Sequence, residues 1–161
     1  MKQVNIKSVL AVSIILAISG CASNTKSNIL TPTVITASSH DGNGPDRLFD
    51  QDITTRWSAN GAGEWAMLDY GSVIEIDAIQ ASFSKGNQRQ SKFDLLVSVD
   101  GENWTTILEG QLSSGRVIGL ERFQFQPVQA RYVKYVGHGN SKNSWNSCLL
   151  YTSPSPRDSS K

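Results

Sequence analysis

Short runs of alternating apolar and polar residues, separated by turn-forming residues, constrain the fold of this chain more than any other feature. Residues 73–83 begin with apolar side chains at every second position, and residues 93–99 place four apolar side chains on one face. Asp100 and Gly101 then form a tight turn. Beyond the first 21 residues no helical periodicity lasts longer than one turn. This pattern predicts an all-β domain, either a sandwich or a barrel.

Seven candidate strands follow from this pattern, and their order predicts which loops meet. Successive connections in an antiparallel sandwich tend to alternate between its two ends. Loops 58–63, 84–92 and 137–147 are therefore expected at one end, and the turns at Gly71 and Asp100-Gly101 at the other. The candidate strands are Thr33–His40, Glu64–Tyr70, Val73–Phe83, Phe93–Val99, Thr105–Leu108, Arg116–Phe125 and Arg131–Val136.

An acidic segment lies in Leu48–Trp57, which reads LFDQDITTRW. Asp50 and Asp52 are two residues apart, and Thr55 follows them. Carboxylates this close in an irregular segment repel each other unless a cation lies between them, and Ca²⁺ accepts about six to eight oxygen ligands. The third acid, the glycine and the closing glutamate of an EF-hand are absent. A solvated acidic turn is the other interpretation of these residues.

The same segment resembles the discoidin, or coagulation factor 5/8 type C, domain, and more narrowly the bacterial carbohydrate-binding modules of family 32. The similarity continues in order through GEWAMLDYG (63–71), SVDGENW (98–104) and ARYVKYVGHGN (130–140), and covers about residues 33–147. It implies an antiparallel, discoidin-like (galactose-binding-like) β-sandwich of the jelly-roll type. It also implies that Arg56 makes a buried ion pair and that Trp57 packs in the core.

The resemblance implies a structural Ca²⁺ as well. Its ligands would be the carbonyl of Arg47 and the side chains of Asp50, Asp52 and Thr55. In the family a later closing strand adds a carbonyl and a glutamate. Gln51 stands where the family favours glycine, so a left-handed backbone at this position would be strained.

Side chains suited to sugar binding are concentrated in the loops that are expected to meet. The KGNQR turn (85–89) supplies hydrogen-bond donors, and its arginine can bind a carboxylate with two hydrogen bonds. Trp145 can stack on a sugar ring. Alternatively, these are solvated loop residues and Trp145 caps the core. The predicted ligand-binding residues are Asn60, Lys85, Asn87, Gln88, Arg89, His138, Asn140, Asn143 and Trp145.

The charge at this end predicts the class of ligand. Lys85, Arg89, Lys92 and Lys142 make the end cationic, although the formal net charge of the chain is only +1. An acidic polysaccharide such as a polyuronate suits it, whereas the near-neutral total excludes a strongly basic nucleic-acid-binding protein. Residues 82–104 and 131–147 resemble the binding modules joined to bacterial alginate lyases.

The sequence shows no arrangement of catalytic residues. His40 and His138 are the only histidines, and no Ser-His-Asp order, metal-ligand cluster or glycine-rich phosphate loop is present. We expect a non-catalytic module that binds alginate and would target a catalytic domain, and a longer gene product could carry a polysaccharide lyase domain. The alternatives are a fragment of an alginate lyase, or an adhesion module binding protein or phospholipid. Polar, cationic loops disfavour adhesion.

The N-terminus predicts a lipid anchor. Residues 1–20 combine lysines with an apolar run of about ten residues, which is too short to span a bilayer. Ile18-Ser19-Gly20-Cys21 resembles a bacterial lipobox, so Cys21 would be lipidated and residues 21–32 would form a tether. The expected location is the cell envelope, at the bacterial outer membrane. An ordinary secretory signal with an incidental cysteine is the alternative.

The C-terminus predicts an artefact. Residues 148–158 read CLLYTSPSPRD, and their back-translation resembles a transposase adapter used in sequencing libraries. Natural sequence would then end near Ser147, residues 148–161 would be foreign, and the domain at 33–147 would lack its closing strand. A genuine Pro/Ser-rich linker is the alternative.

Overall fold

A computed structural model describes residues 29–155, which form seven strands and one short 3₁₀ turn at Pro45–Leu48. Within the described residues no helix is long and apolar enough to cross a membrane. The strands are β1 (Val34–Ala37), β2 (Trp57–Asn60), β3 (Glu64–Phe83), β4 (Ser91–Ser98), β5 (Thr105–Leu112), β6 (Leu120–Asn140) and β7 (Trp145–Pro154).

The two long strands, β3 and β6, build both layers of the sandwich. All pairs are antiparallel, in the order β2-β7-β3-β6-β4-β5, with β1 also paired to β3. The register of β3 against β6 shifts between Asp69 and Ile74. One layer holds β1, β4, β5 and the adjacent halves of the long strands, and the other holds β2, β7 and the remaining halves. The predicted all-β, discoidin-like sandwich is confirmed.

The long strands also correct two predicted boundaries. Gly71 was expected to separate two strands, but it lies within β3, where its φ of 74° accompanies the bend. The two runs predicted at 116–125 and 131–136 are likewise parts of β6, which begins only at Leu120. Bends replace turns here because a register shift lets one strand pass from one layer to the next without ending.

The core lies between the layers and is built mainly from aromatic and branched side chains. Trp57, Phe93 and Tyr135 are fully buried, and the rings of Phe93 and Tyr135 stack with centroids 5.1 Å apart. Trp57 therefore packs in the core as the resemblance implies, and its Nε1 donates to the Ser39 carbonyl oxygen at 2.9 Å. Of the four apolar residues predicted on one face of β4 and its end, only Val99 is exposed.

The closing strand that was expected to be missing is present. β7 lies between β2 and β3, with Cys148 opposite Trp57 and Thr152 opposite Ile79. Cys148 is fully buried, and burial raises the pKa of its thiol to about 12. The sandwich therefore extends to Pro154 rather than ending near residue 147. The adapter origin of residues 148–161 remains a prediction. Residues 156–161, the signal segment 1–20 and Cys21 lie outside the described residues.

Candidate functional site

Three loops meet at one end of the sandwich and are tied together by backbone hydrogen bonds. The Ser84 amide donates to the Ser147 carbonyl at 3.1 Å, and the Gly61 amide donates to Ser144 at 3.0 Å. The Ser141 amide donates to Gln90 at 2.8 Å. The expected convergence of these loops is therefore observed. All three loops are shorter than predicted, because the flanking strands extend into them and leave residues 61–63, 84–90 and 141–144.

An open pocket of about 280 Å³ lies where these loops meet. Sites for drug-sized ligands enclose about 300–1,000 Å³, so this pocket suits one or a few sugar units rather than a long buried segment. Its wall combines an indole ring with three cations, one carboxylate and three hydroxyl groups. The lining residues are Asp41, Arg56, Ser58, Ser84, Lys85, Arg89, Trp145 and Ser147.

The turn that carries Lys85 is held in one conformation. Lys85 has a φ of 55°, a left-handed value that is uncommon for residues with a side chain. The Gly86 amide donates to Phe83, and the Gln88 amide donates to Lys85, each at 2.9 Å. A Cβ on Gly86 would lie 2.5 Å from the Val117 carbonyl oxygen. Strain of this kind is retained where the surroundings impose it, and here it directs a lysine to the pocket.

Arg89 lies at the end of the same turn, close to a second arginine. Its Nε donates to the Ser84 carbonyl oxygen at 2.9 Å, which fixes the plane of the guanidinium. Burial and the positive charge of Arg56 lower the pKa of Arg89. An arginine nevertheless stays protonated in proteins, so the pair favours an anion.

Arg56 differs from what the resemblance implies. No carboxylate lies within 4 Å of its guanidinium among residues 29–155. The buried ion pair that the resemblance implies is therefore absent from these residues. The Nε atom of Arg56 is buried and has no hydrogen-bond partner in the same range. Arg56 and Ser58 flank the buried Trp57, and both line the pocket. Successive side chains of a strand point to opposite faces, so Arg56 and Ser58 could have been predicted to lie on the face opposite the buried indole of Trp57.

The other lining residues missed from the sequence carry weaker signals. Asp41 lies in a turn cluster, and its Oδ1 accepts hydrogen bonds from the side chain and amide of Asn43, which lower its pKa. Ser58 and Ser147 lie on paired strands, and their hydroxyl oxygens are 3.0 Å apart. Ser84 is the residue after β3. Only the strand pairing reveals that these residues meet.

Three of the predicted ligand-binding residues, Lys85, Arg89 and Trp145, line the pocket, and three others shape the loop before β7. The Asn140 amide nitrogen donates to the Trp145 carbonyl oxygen at 2.8 Å. Asn143 Oδ1 accepts from the Trp145 amide at 3.2 Å, and Asn60 Oδ1 accepts from the Ser144 hydroxyl at 2.6 Å. These three amides therefore position the tryptophan.

The remaining predicted residues do not line this pocket. Asn87 and Gln88 are exposed on the 85–89 turn. His138 lies away from it, with its Nε2 2.7 Å from Asp94 Oδ2. Burial opposes ionisation of Asp94, but the Gly110 amide and His138 outweigh it and keep the pKa of that carboxyl below its usual value.

The acidic loop gathers the oxygen atoms expected of a calcium site. The Thr55 hydroxyl donates to Asp50 Oδ2 and lies 3.0 Å from the Asp52 carbonyl oxygen. Asp52 Oδ1 accepts from the hydroxyl and amide of Thr54, which lowers its pKa. The backbone of Gln51 is left-handed, with a φ of 62°, as the family's glycine suggests.

This donor set fits Ca²⁺ in chemistry but provides few charges. Hard oxygen ligands are those that calcium prefers. Residues 29–155 contain no group of three or more His, Cys, Asp or Glu side chains placed to bind a metal. β7 has no Asp or Glu, and next to the loop it places Tyr151, whose pKa is raised by burial and by Asp50. The remaining ligands would be the Thr55 hydroxyl and carbonyls such as that of Arg47.

Comparison with known proteins identifies the family of this domain. The family profile of the F5/8 type C domain matches residues 34–150. A polysaccharide lyase 8 family protein, HylA, of Enterococcus faecalis is 32% identical over 91 residues, which are 56% of this chain and 6% of that protein. The chain thus spans only a small part of this curated relative.

Two solved carbohydrate-binding modules are similar over almost their whole length. The CBM32 module of AlyQ, in complex with 4,5-unsaturated mannuronic acid, is 35% identical with a TM-score of 0.74, and the match covers 77% of this chain and 96% of the module. A pectin-binding module is 30% identical with a TM-score of 0.75, covering 80% of this chain and 94% of the module.

Proposed function

Because the chain belongs to the F5/8 type C domain family and forms a carbohydrate-binding module, we propose that it binds an acidic polysaccharide such as alginate. The observation that carries this proposal is the charge of the pocket, where three cations face one carboxylate. One of the two similar modules is in complex with 4,5-unsaturated mannuronic acid and the other binds pectin, which supports an acidic carbohydrate as the ligand here. Binding is non-catalytic.

The lining residues would make different kinds of contact with a sugar ligand. The partly buried ring of Trp145 offers an apolar face to the C–H groups of a sugar. Lys85 supplies a point charge, whereas the terminal nitrogens of Arg89 can bind a carboxylate in a planar, two-bond arrangement. The hydroxyls of Ser58 and Ser147 can exchange hydrogen bonds with sugar hydroxyls.

A binding titration tests the proposal. We expect the protein to bind oligomannuronate more tightly than a neutral oligosaccharide of equal length, by isothermal titration calorimetry. Arg89→Ala should weaken binding of the acidic ligand about tenfold, since a charge-assisted hydrogen bond is lost. Arg116→Ala is the matched control, because Arg116 is an exposed cation that does not line the pocket. Equal affinity for acidic and neutral ligands, or an unchanged Arg89→Ala variant, would overturn the proposal.

A structural calcium ion is part of the proposal. Arg47, Asp50, Asp52 and Thr55 would hold it, and it would stabilise the loop that precedes the pocket residue Arg56. Calcium should therefore raise the melting temperature of the protein, and a chelator should reverse the rise. The double change Asp50→Asn, Asp52→Asn should abolish the effect, whereas Asp46→Asn, an exposed acid in the 3₁₀ turn, should retain it. Identical melting with calcium and chelator would exclude this part.

We further propose that Cys21 is lipidated and holds the module at the bacterial outer membrane. A longer gene product would carry a polysaccharide lyase domain, which is supported by the match to part of a lyase. A bound polysaccharide would then be held at high effective concentration near that domain. Incorporation of an alkyne-labelled fatty acid into the wild-type protein, and its absence in Cys21→Ser, would test the anchor. Equal labelling of both proteins would reject it.

A further inference from the structure

Arg56 has a buried donor that the fold leaves without a partner. Its Nε atom is shielded from solvent and makes no hydrogen bond within residues 29–155. Two other arginines in that range have acidic partners, since Arg131 binds Asp69 at 2.9 Å and Arg122 lies 3.4 Å from Asp77. An unsatisfied donor on a charged group is unfavourable, so such an atom points to a missing acceptor.

The missing acceptor is best placed in the pocket. Arg56 and Arg89 both line it and are close enough for their charges to interact. Asp41 is the acidic residue of the lining, but its Oδ1 accepts from the amide and side chain of Asn43, at 3.0 and 2.8 Å. Nε of Arg89 is already bound to Ser84. The site thus combines two like charges and one unpartnered buried donor, and among residues 29–155 no carboxylate lies within 4 Å of either guanidinium.

We infer that Arg56 is a ligand-binding residue that, together with Arg89, binds the carboxylate of a uronate unit and determines selectivity against neutral sugars. This inference rests on the proposed function and deepens it. A carboxylate in the pocket would accept charge-assisted hydrogen bonds from the guanidinium of Arg56 and reduce the repulsion between the two guanidinium groups. A neutral sugar would leave that repulsion in place.

The test compares two ligands that differ only in charge. Oligomannuronate and its carboxyl-reduced, neutral counterpart would be titrated into the full chain and into Arg56→Gln. We expect the variant to lose about tenfold in affinity for the acidic ligand and little for the neutral one, so that its preference nearly vanishes. Arg116→Gln, an exposed arginine outside the lining, should keep the wild-type preference.

The outcomes separate the inference from the proposed function. If the wild-type protein binds no acidic oligosaccharide, the proposed function fails. If it binds one and Arg56→Gln keeps the same preference, the function stands and the role of Arg56 is rejected.

A measurement on the wild-type protein covers the case in which Arg56→Gln does not fold. The arginine Nε–H signals would be followed by ¹⁵N NMR during titration with oligomannuronate and, separately, with its carboxyl-reduced counterpart. The Arg56 signal should shift with oligomannuronate only. No shift, or an equal shift with both sugars, would overturn the inference.

Discussion

Gln51 holds a left-handed backbone conformation between the two carboxylates of the acidic loop, with a φ of 62°. A Cβ in this region costs about 1–2 kcal/mol relative to glycine. Gln51→Gly should therefore raise the free energy of unfolding by about 1 kcal/mol, measured by urea denaturation, because relief of strain outweighs the greater freedom of glycine in the unfolded chain. The neighbouring exposed change Ile53→Gly should destabilise instead. A loss of stability in Gln51→Gly would contradict the prediction.

Asp100 predicts how stability depends on pH. Hydrogen bonds from the Asn103 side chain and amide, and from the Glu102 amide and Ser98 hydroxyl, hold the pKa of Asp100 well below its usual value. The folded pKa is depressed, so this contribution is complete above pH of about 4 and is lost as the pH falls further. The wild-type free energy of unfolding should decline in that range.

Two variants isolate the contribution of the Asp100 carboxylate to the pH dependence of stability. Asp100→Asn should show a smaller decline in the free energy of unfolding between pH 5 and pH 2, because it has no carboxylate to protonate at the turn. Glu102→Gln serves as the control, since its side chain accepts no hydrogen bond within residues 29–155. Parallel pH profiles for wild type and Asp100→Asn would show that other groups account for the acid dependence.

Some of the pocket residues could be predicted from the sequence and others could not. Lys85, Arg89 and Trp145, which line the pocket, were predicted because their side chains suit sugar binding and because alternating connections bring their loops to the same end of the sandwich. Arg56 was interpreted as structural because the resemblance implies a buried ion pair, and His138 was included because it is a binding-type residue of loop 137–147. Which way a side chain faces depends on register and on neighbours from distant strands, and residue type does not supply that information.

At the scale of elements, Asn146 joins three segments that form the floor of the loop region. It is buried, its Oδ1 accepts from the Gly139 amide at 2.8 Å, and its Nδ2 donates to the Gly61 carbonyl at 2.7 Å. A Cβ on Gly137 would lie 2.1 Å from its Oδ1. Asn146→Ala should cost about 2 kcal/mol of unfolding free energy, because two backbone groups lose their partners.

A double-mutant cycle tests this arrangement. Gly137→Ala should destabilise the protein by about 1–3 kcal/mol through overpacking against Asn146. The same change should cost clearly less in the Asn146→Ala background, where the clashing oxygen is gone, and guanidinium unfolding of the four proteins would measure the difference. Additive costs would show that Gly137 is required for another reason.

Elements were predicted better in type than in extent. Alternation identified β4 and β5 and the turn between them, because their pattern is set by one buried face. It divided β3 at Gly71 and β6 near Gln126, because a bend and a chain reversal leave the same local signal. Asp77, on the supposed polar face of β3, is buried and lies 3.4 Å from Arg122. Its burial follows from the pairing of β3 with β6 and β7.

For the whole molecule, the central question is how strongly the sandwich depends on β7. This strand lies between β2 and β3, so its removal would expose two strand edges as well as the core. Leu149, Leu150 and Tyr151 are each at least 97% buried, and burial of such side chains contributes about 1.5–3 kcal/mol apiece. Their sum is comparable with the total stability of a domain of this size, about 5–15 kcal/mol.

A chain that ends at Ser147 should therefore lack cooperative thermal unfolding, whereas a chain that ends at Ser155 should melt as the full chain does. Circular dichroism and tryptophan fluorescence would follow both, because Trp57 is packed against β7 in the core and reports its loss. The shorter chain should also bind calcium weakly, since the acidic loop rests on Tyr151 through Phe49, whose ring centroid is 5.0 Å away. Cooperative melting of the chain ending at Ser147, with a large rise on addition of calcium, would show instead that residues 148–155 add nothing essential to the domain.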